Sequence, residues 1–172
     1  MKSIEIKGKR NIDGIQKIKN PKRLESLKWN YEDEYFTHPK QVSIINQLYL
    51  DQEINYKNEM KREIQKKING YKYQDIDKKI LNNNKLISLD QTFEKLVESK
   101  LKCFYCKEKC FFIFKDKLDK KQWTLDRIDN EKGHNYDNIV ISCLDCNVKR
   151  GEMNFDRFKK GKDIKIIRKI YN

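Results

Sequence analysis

Two Cys-x-x-Cys pairs constrain this chain more than any other feature. Cys103-Phe104-Tyr105-Cys106 and Cys143-Leu144-Asp145-Cys146 stand with 36 residues between them. Thiolates at i and i+3 reach adjacent corners of a tetrahedron, about 2.3 Å from a zinc ion, and two such pairs close the coordination shell. A closed shell marks a structural zinc, because a catalytic one keeps a position open. The N-terminus, Met1-Lys2-Ser3-Ile4-Glu5-Ile6-Lys7, lacks the apolar region of a signal peptide. The chain is therefore expected to be intracellular and not secreted, where thiols stay reduced and metal binding is favoured over disulfides. Cys110 is the odd cysteine. It could stand in for Cys106, but the paired spacing favours Cys106 and leaves Cys110 a free buried thiol.

A staple of this kind answers a thin core. Charged residues make up 38% of the 172 residues and apolar ones 37%, so a structural zinc supplies folding free energy that burial alone does not. No apolar run approaches the ~20 residues of a membrane span. The net charge of +13 is concentrated at the ends: residues 1–28 and 147–172 each hold nine Lys/Arg against three Asp/Glu, +6 apiece. Basic ends suit a polyanionic partner, since Lys and Arg displace the counterions condensed on phosphates. The chain has no Ala and much Lys, Asn and Ile. That bias points to an AT-rich coding genome, such as those of low-GC bacteria, organelles or large DNA viruses.

The expected fold class is α+β, in three segments. Residues 1–37 read as a basic, weakly structured arm anchored by Trp29, Tyr31, Tyr35 and Phe36. Residues 38–100 read as helical. One helix is predicted over 39–69, with Pro39 in its first turn, Val42, Ile45, Leu48 and Tyr49 on its apolar face, and Gly70 as its stop. Ser88-Leu89-Asp90-Gln91 is a capping box opening a second helix that runs to Lys100. This polar helical part offers a surface for a protein partner. His38 has no assigned role beyond structure. Residues 101–172 hold the knuckles, predicted strands at Phe111–Phe114, Trp123–Ile128 and Asn138–Ser142, a helix from Leu144 toward Glu152, and a basic tail.

Between the knuckles runs Trp123-Thr124-Leu125-Asp126-Arg127-Ile128-Asp129, then Gly133-His134, then Asn138-Ile139-Val140-Ile141-Ser142-Cys143-Leu144-Asp145-Cys146-Asn147-Val148-Lys149-Arg150. Over about residues 101–152 this resembles the HNH, or His-Me finger, nucleases, and among them uncharacterised HNH-like proteins of large DNA viruses. The resemblance implies a β-hairpin and a following helix, the ββα-metal module, holding one Mg²⁺ or Mn²⁺ ion against a scissile phosphate of double-stranded DNA. It implies Asp126 and Asn147 as the hard oxygen ligands of that ion, and Asn138 as the brace of the hairpin loop. Lys149, Arg150 and the basic tail would grip the phosphate backbone.

The general base of the family follows the metal-binding Asp as a His, and here that position is Arg127. Arginine stays protonated and takes no proton from water. His134 or Asp129 would then act as base, or Arg127 contacts phosphate and the chemistry is lost. His134 has the suitable pKa class; its structural alternative is capping the loop. The expected function is a metal-dependent HNH-type endonuclease with a structural zinc. The alternative is a catalytically inactive HNH-like zinc module that binds nucleic acid or docks into an assembly. A zinc-finger regulator is disfavoured, because no recognition helix with a base-reading pattern is present.

Overall fold

The structure is a computed structural model that describes residues 29–164. The greater part of the expected basic arm, 1–28, and the end of the tail, 165–172, lie outside the described residues. Within them the fold is α+β: five helices and one two-stranded antiparallel sheet.

A short 3-10 turn, Asp33–Phe36, leads into α1 (His38–Tyr49). Trp29 and Tyr35 are buried, and Tyr31, Tyr35 and Tyr56 pack ring against ring. Proline at the start of α1 costs nothing, since that N–H has no helical partner. The buried face of α1 is Gln41, Ile44, Ile45 and Leu48. Tyr49, expected on that face, is 48% exposed.

The single helix expected over 39–69 is two. The chain leaves α1 at Leu50, and Asp51 (φ 52°) and Tyr56 (φ 63°) take left-handed backbone conformations that turn it back. Lys57 fastens the turn through the Asp51 carbonyl at 2.8 Å and the Glu53 carboxylate at 2.7 Å. Helix α2 then runs Lys57–Asp77, straight through Gly70. Met60, Ile64, Ile68, Tyr71 and Asp75 lie buried along one stripe, and burial at i+3 and i+4 spacing holds the helix past a glycine on its open side. Helix α3 (Leu89–Glu98) has the expected capping box: Ser88 Oγ accepts from the Gln91 amide at 3.2 Å and Gln91 Oε1 from the Ser88 amide at 3.0 Å.

The sheet pairs β1 (Trp123–Arg127) with β2 (Ile139–Cys143), with Trp123 opposite Cys143 and Arg127 opposite Ile139. A lone hairpin is marginal in water. This one is covered on both sides, which is why Trp123, Thr124, Leu125 and Asp126 are all buried despite alternating faces. Lys67 and Tyr71 of α2 bond to the backbone of Trp123 and Leu125. On the other face Thr124 and Asp126 meet Asn147 and Arg150 of α4 (Leu144–Arg150). Helix α5 (Phe155–Asp163) closes the fold by packing Phe155 and Phe158 on Phe104 and Tyr105 of the first knuckle.

The strand expected at Phe111–Phe114 does not form. Phe111 makes one isolated bridge to Gln122, and Phe112 and Ile113 are both buried, which alternation forbids. A side chain replaces the missing neighbour strand. Gln41, fully buried, accepts from the amides of Phe112 and Ile113 and donates to the carbonyls of Ile113 and Tyr35, at 2.8 to 3.2 Å. One apolar cluster runs from Trp29 to Phe158, so the helical part and the cysteine-bearing part share a core.

Candidate metal centre and active-site cavity

The first knuckle hangs on backbone bonds. Lys107 sits in the left-handed region (φ 61°), so its amide reaches the Cys103 carbonyl at 3.0 Å, and the Cys103 amide reaches the Glu108 carbonyl at 2.9 Å. The Phe104 amide donates to the Ile141 carbonyl at 2.8 Å, which docks this knuckle on β2. The second pair straddles the start of α4, with Cys143 as its N-cap. The result gathers Cys103, Cys106, Cys143 and Cys146, with all four sulfur atoms within 4.8 Å of one another. Cys106 Sγ and Cys143 Sγ are 3.9 Å apart. A tetrahedron with corners about 2.3 Å from its centre has edges of about 3.8 Å, so the four thiols fit a zinc ion. Such crowding perturbs the thiols strongly. Cys103 is held well below the usual thiol range, by Cys110 first and Cys143 second. Cys110 is held well above it, by Cys103 first and burial second. Cys110 is fully buried beside the four-cysteine cluster and is not one of its members.

A few residues away, β1, the hairpin loop, α4 and the end of α2 enclose a cavity of about 260 Å³. Asp126, Arg127, His134 and Asn147 line it, together with Tyr71 and Lys78. Four residues singled out for chemistry in the sequence thus meet in one place.

His134 is 4% exposed. Its Nδ1 lies 2.7 Å from Asp75 Oδ1 and its backbone amide donates to Asp75 Oδ2, also at 2.7 Å. The ring lies against Tyr71, centroids 4.5 Å apart. An Asp carboxylate accepts only, so Nδ1 carries the proton and Nε2 presents a lone pair. Burial depresses the His134 pKa, outweighing the opposing pull of Asp75; Arg127 and Lys78 depress it further. The imidazole is therefore neutral at pH 7. Gly133 permits the approach: a Cβ there would stand 2.8 Å from Asp75 Oδ2 and 3.0 Å from the Ile80 carbonyl.

Asn138 is buried and ties the loop together. Its Oδ1 accepts from the Asp129 amide at 2.9 Å, and its Nδ2 donates to the carbonyls of Asp129 at 2.9 Å and Gly133 at 3.0 Å. Asp129 does not line the cavity with His134. Its carboxylate holds the Glu131 amide and Lys132, an arrangement that braces the loop. Arg127 folds over the same loop, donating to the carbonyls of Asn130 and Lys132.

Asp126 and Asn147 differ in how free they are. Asn147 Nδ2 donates to Thr124 Oγ1 at 3.0 Å, and its Oδ1 has no partner among the described residues. Asp126 is engaged on both oxygens: Oδ2 accepts from the Tyr105 hydroxyl at 2.6 Å and Oδ1 from Arg150 Nη1 at 2.7 Å. Burial raises the Asp126 pKa against the pull of those partners. The two residues fit a divalent ion in donor type, both offering hard oxygens at one cavity, while Arg150 already balances the carboxylate's charge.

Arg150 departs from its expected place. It was assigned to the phosphate backbone, but it is 3% exposed and spends its guanidinium on Asp126, the Ile128 carbonyl and Asn130 Oδ1. Its position follows Lys149 by one residue, which on a helix turns it inward by about 100°. Lys149 is on the surface, paired with Asp145 at 2.6 Å. His38, left without a chemical role, bonds the Leu101 carbonyl at 3.0 Å across the domain. Asp75, Tyr71 and Tyr105 were not singled out from the sequence. The first two come from α2, 59 residues or more before His134, and no local pattern marks them.

No protein-family model matches this chain, and no curated protein or solved structure matches it either.

Proposed function

We propose that this chain is a zinc-stapled HNH-type endonuclease that hydrolyses DNA phosphodiester bonds. The observation that carries the reading is the cavity in which Asp75-held His134 meets Asp126, Arg127 and Asn147. Breaking a phosphodiester needs an activated water, stabilisation of the pentavalent oxyanion and an easy departure for the leaving group. His134 Nε2 accepts the proton of the attacking water. Asp75 keeps Nδ1 protonated and stabilises the imidazolium that forms, as a carboxylate does behind any base histidine. Arg127 and Lys78 at the cavity wall draw the phosphate in and lower the histidine's pKa, which keeps the base ready at neutral pH. A Mg²⁺ or Mn²⁺ ion at Asp126 and Asn147 would supply oxyanion and leaving-group stabilisation. Zinc at the four cysteines fixes the start of α4, and with it Asn147, next to Cys146.

The test is supercoiled-plasmid nicking by zinc-loaded full-length protein with Mg²⁺ or Mn²⁺. His134→Ala removes the base and is expected to slow nicking by about 10²–10⁴-fold, with Asp75→Asn also slower. If His134→Ala nicks as fast as the unmodified chain, the reading fails.

One observation favours a second reading. The buried Arg150–Asp126 pair supplies a permanent cation where the nuclease needs a metal. On that reading the chain is an inactive zinc module that binds nucleic acid. It expects salt-sensitive DNA binding, no nicking, and no Mn²⁺ bound beyond the zinc; a Mn²⁺ site at Asp126 and Asn147, seen by electron paramagnetic resonance and lost in Asn147→Ala, would sink it.

A further inference from the structure

Helix α2 meets the hairpin at successive turns. Lys67 Nζ donates to the Trp123 carbonyl, the Tyr71 hydroxyl accepts from the Leu125 amide at 3.1 Å, and Asp75 holds His134. Two hollows flank this seam. The active-site cavity lies at the Asp75 end. A second cleft, about 360 Å³, lies at the Lys67 end, walled by Glu63, Lys66, Lys67, Phe114, Lys117 and Trp123. From residue 67 to residue 75 the helix rises about 12 Å, so the two hollows are a short stretch of nucleic-acid strand apart.

Lys67 is the anomaly in that cleft. Its ammonium lies 4.7 Å from the Trp123 ring centre and 5.7 Å from that of Phe114. Its hydrogen-bond acceptors are neutral: the Trp123 carbonyl, and Gln122 Oε1 at 3.1 Å. No ion pair to Lys67 is present among the described residues. Withdrawing an ammonium from water without a counter-charge is costly, and burial lowers the Lys67 pKa to about 7. An anion entering the cleft would offset that cost. Lys66 and Lys117 on the exposed walls add positive potential, against one acid, Glu63.

We infer that this cleft is a phosphate subsite, in which Lys67 takes a backbone phosphate of the DNA strand near the one at the His134 cavity. The α2–β1 seam is then the track that sets the strand's register on the active site, and Phe114, half-buried at the wall, offers a face to the neighbouring base or sugar. This rests on the DNA reading above for the identity of the strand. The phosphate chemistry rests on Lys67 alone.

The test uses zinc-loaded full-length protein carrying isotope-labelled lysine, without Mg²⁺ or Mn²⁺, so that nothing is cleaved. The Lys67 side-chain NMR signal, identified by its loss in Lys67→Met, is titrated with pH alone, with inorganic phosphate, and with a short DNA duplex. With duplex the Lys67 pKa is expected to rise by about one unit or more, the charged form being favoured beside an anion. Lys67→Met is expected to weaken duplex binding and to lower the slope of log affinity against log salt by about one. A Lys67 signal unmoved at saturating duplex overturns the subsite. So does a signal moved by inorganic phosphate and not by duplex, which would make the cleft a free-anion site. The two readings separate cleanly. Protein that shifts Lys67 on DNA yet never nicks plasmid overturns the nuclease alone, and protein that nicks with Lys67 unmoved overturns the subsite alone.

Discussion

Two buried charge pairs decide the chemistry of single residues here. Arg150 and Asp126 are both nearly inaccessible and 2.7 Å apart. Arg150→Met leaves the Asp126 carboxylate buried with only Tyr105 as partner, and is expected to destabilise the fold by about 3–5 kcal/mol. Chemical denaturation checks this, and the double variant Asp126→Asn, Arg150→Met should recover part of the loss. The His134 pair has a pH signature. Its pKa in the fold lies below its unfolded value of about 6.5 because burial disfavours the charged ring. Below that pH the unfolded chain binds the proton that the folded one refuses. The stability contributed by neutral His134 is therefore complete above pH 6.5 and is lost as pH falls toward the folded pKa. Asp75, Arg127 and Lys78 are the charged groups that set this value. Unfolding free energy measured from pH 8 to pH 5 should fall for the unmodified chain and fall less for His134→Gln; parallel curves would show that another group governs the slope.

Among elements, α2 shows how packing overrules punctuation. Gly70 looks like a stop, and the helix passes through it because Ile64, Ile68, Tyr71 and Asp75 are held on the hairpin side. A Cβ at Gly70 meets nothing within 4 Å. Gly70→Ala should therefore stabilise the protein by about 0.5–1 kcal/mol, read as a raised denaturation midpoint. The capping box of α3 and the start of α1 at Pro39 were legible in the sequence, since their bonds lie within four residues. The Phe111–Phe114 segment was not. Its backbone partners come from Gln41, 71 and 72 residues away, and an apolar run reads alike whether a strand or a side chain satisfies its amides.

At the scale of the whole molecule, the four thiols and the helical layer belong to one core. Trp123 stands between Lys67 of α2 and the Cys143 register position of β2. Removing zinc with a strong chelator should therefore lower the melting temperature of the helices together with that of the hairpin. Circular dichroism at helical wavelengths and tryptophan fluorescence should report one coincident transition with zinc bound. Two separated transitions would show that the helices fold apart from the cysteine-bearing part.

The sequence by itself determined the metal-binding cysteines, the hairpin with its following helix, and the α+β class, because each is written in short spacings: Cys-x-x-Cys, alternating strand residues, a residue and its cap. It also named Asp126, Asn138, His134 and Asn147, though not what each would touch. Tertiary structure decided that Arg150 turns inward to Asp126 and that Asp75, not a neighbour in the chain, holds His134. It decided too that Lys67 lies buried with no carboxylate beside it. These are contacts between side chains far apart in sequence, and their energy depends on burial, which exists only once α2 has packed across the hairpin.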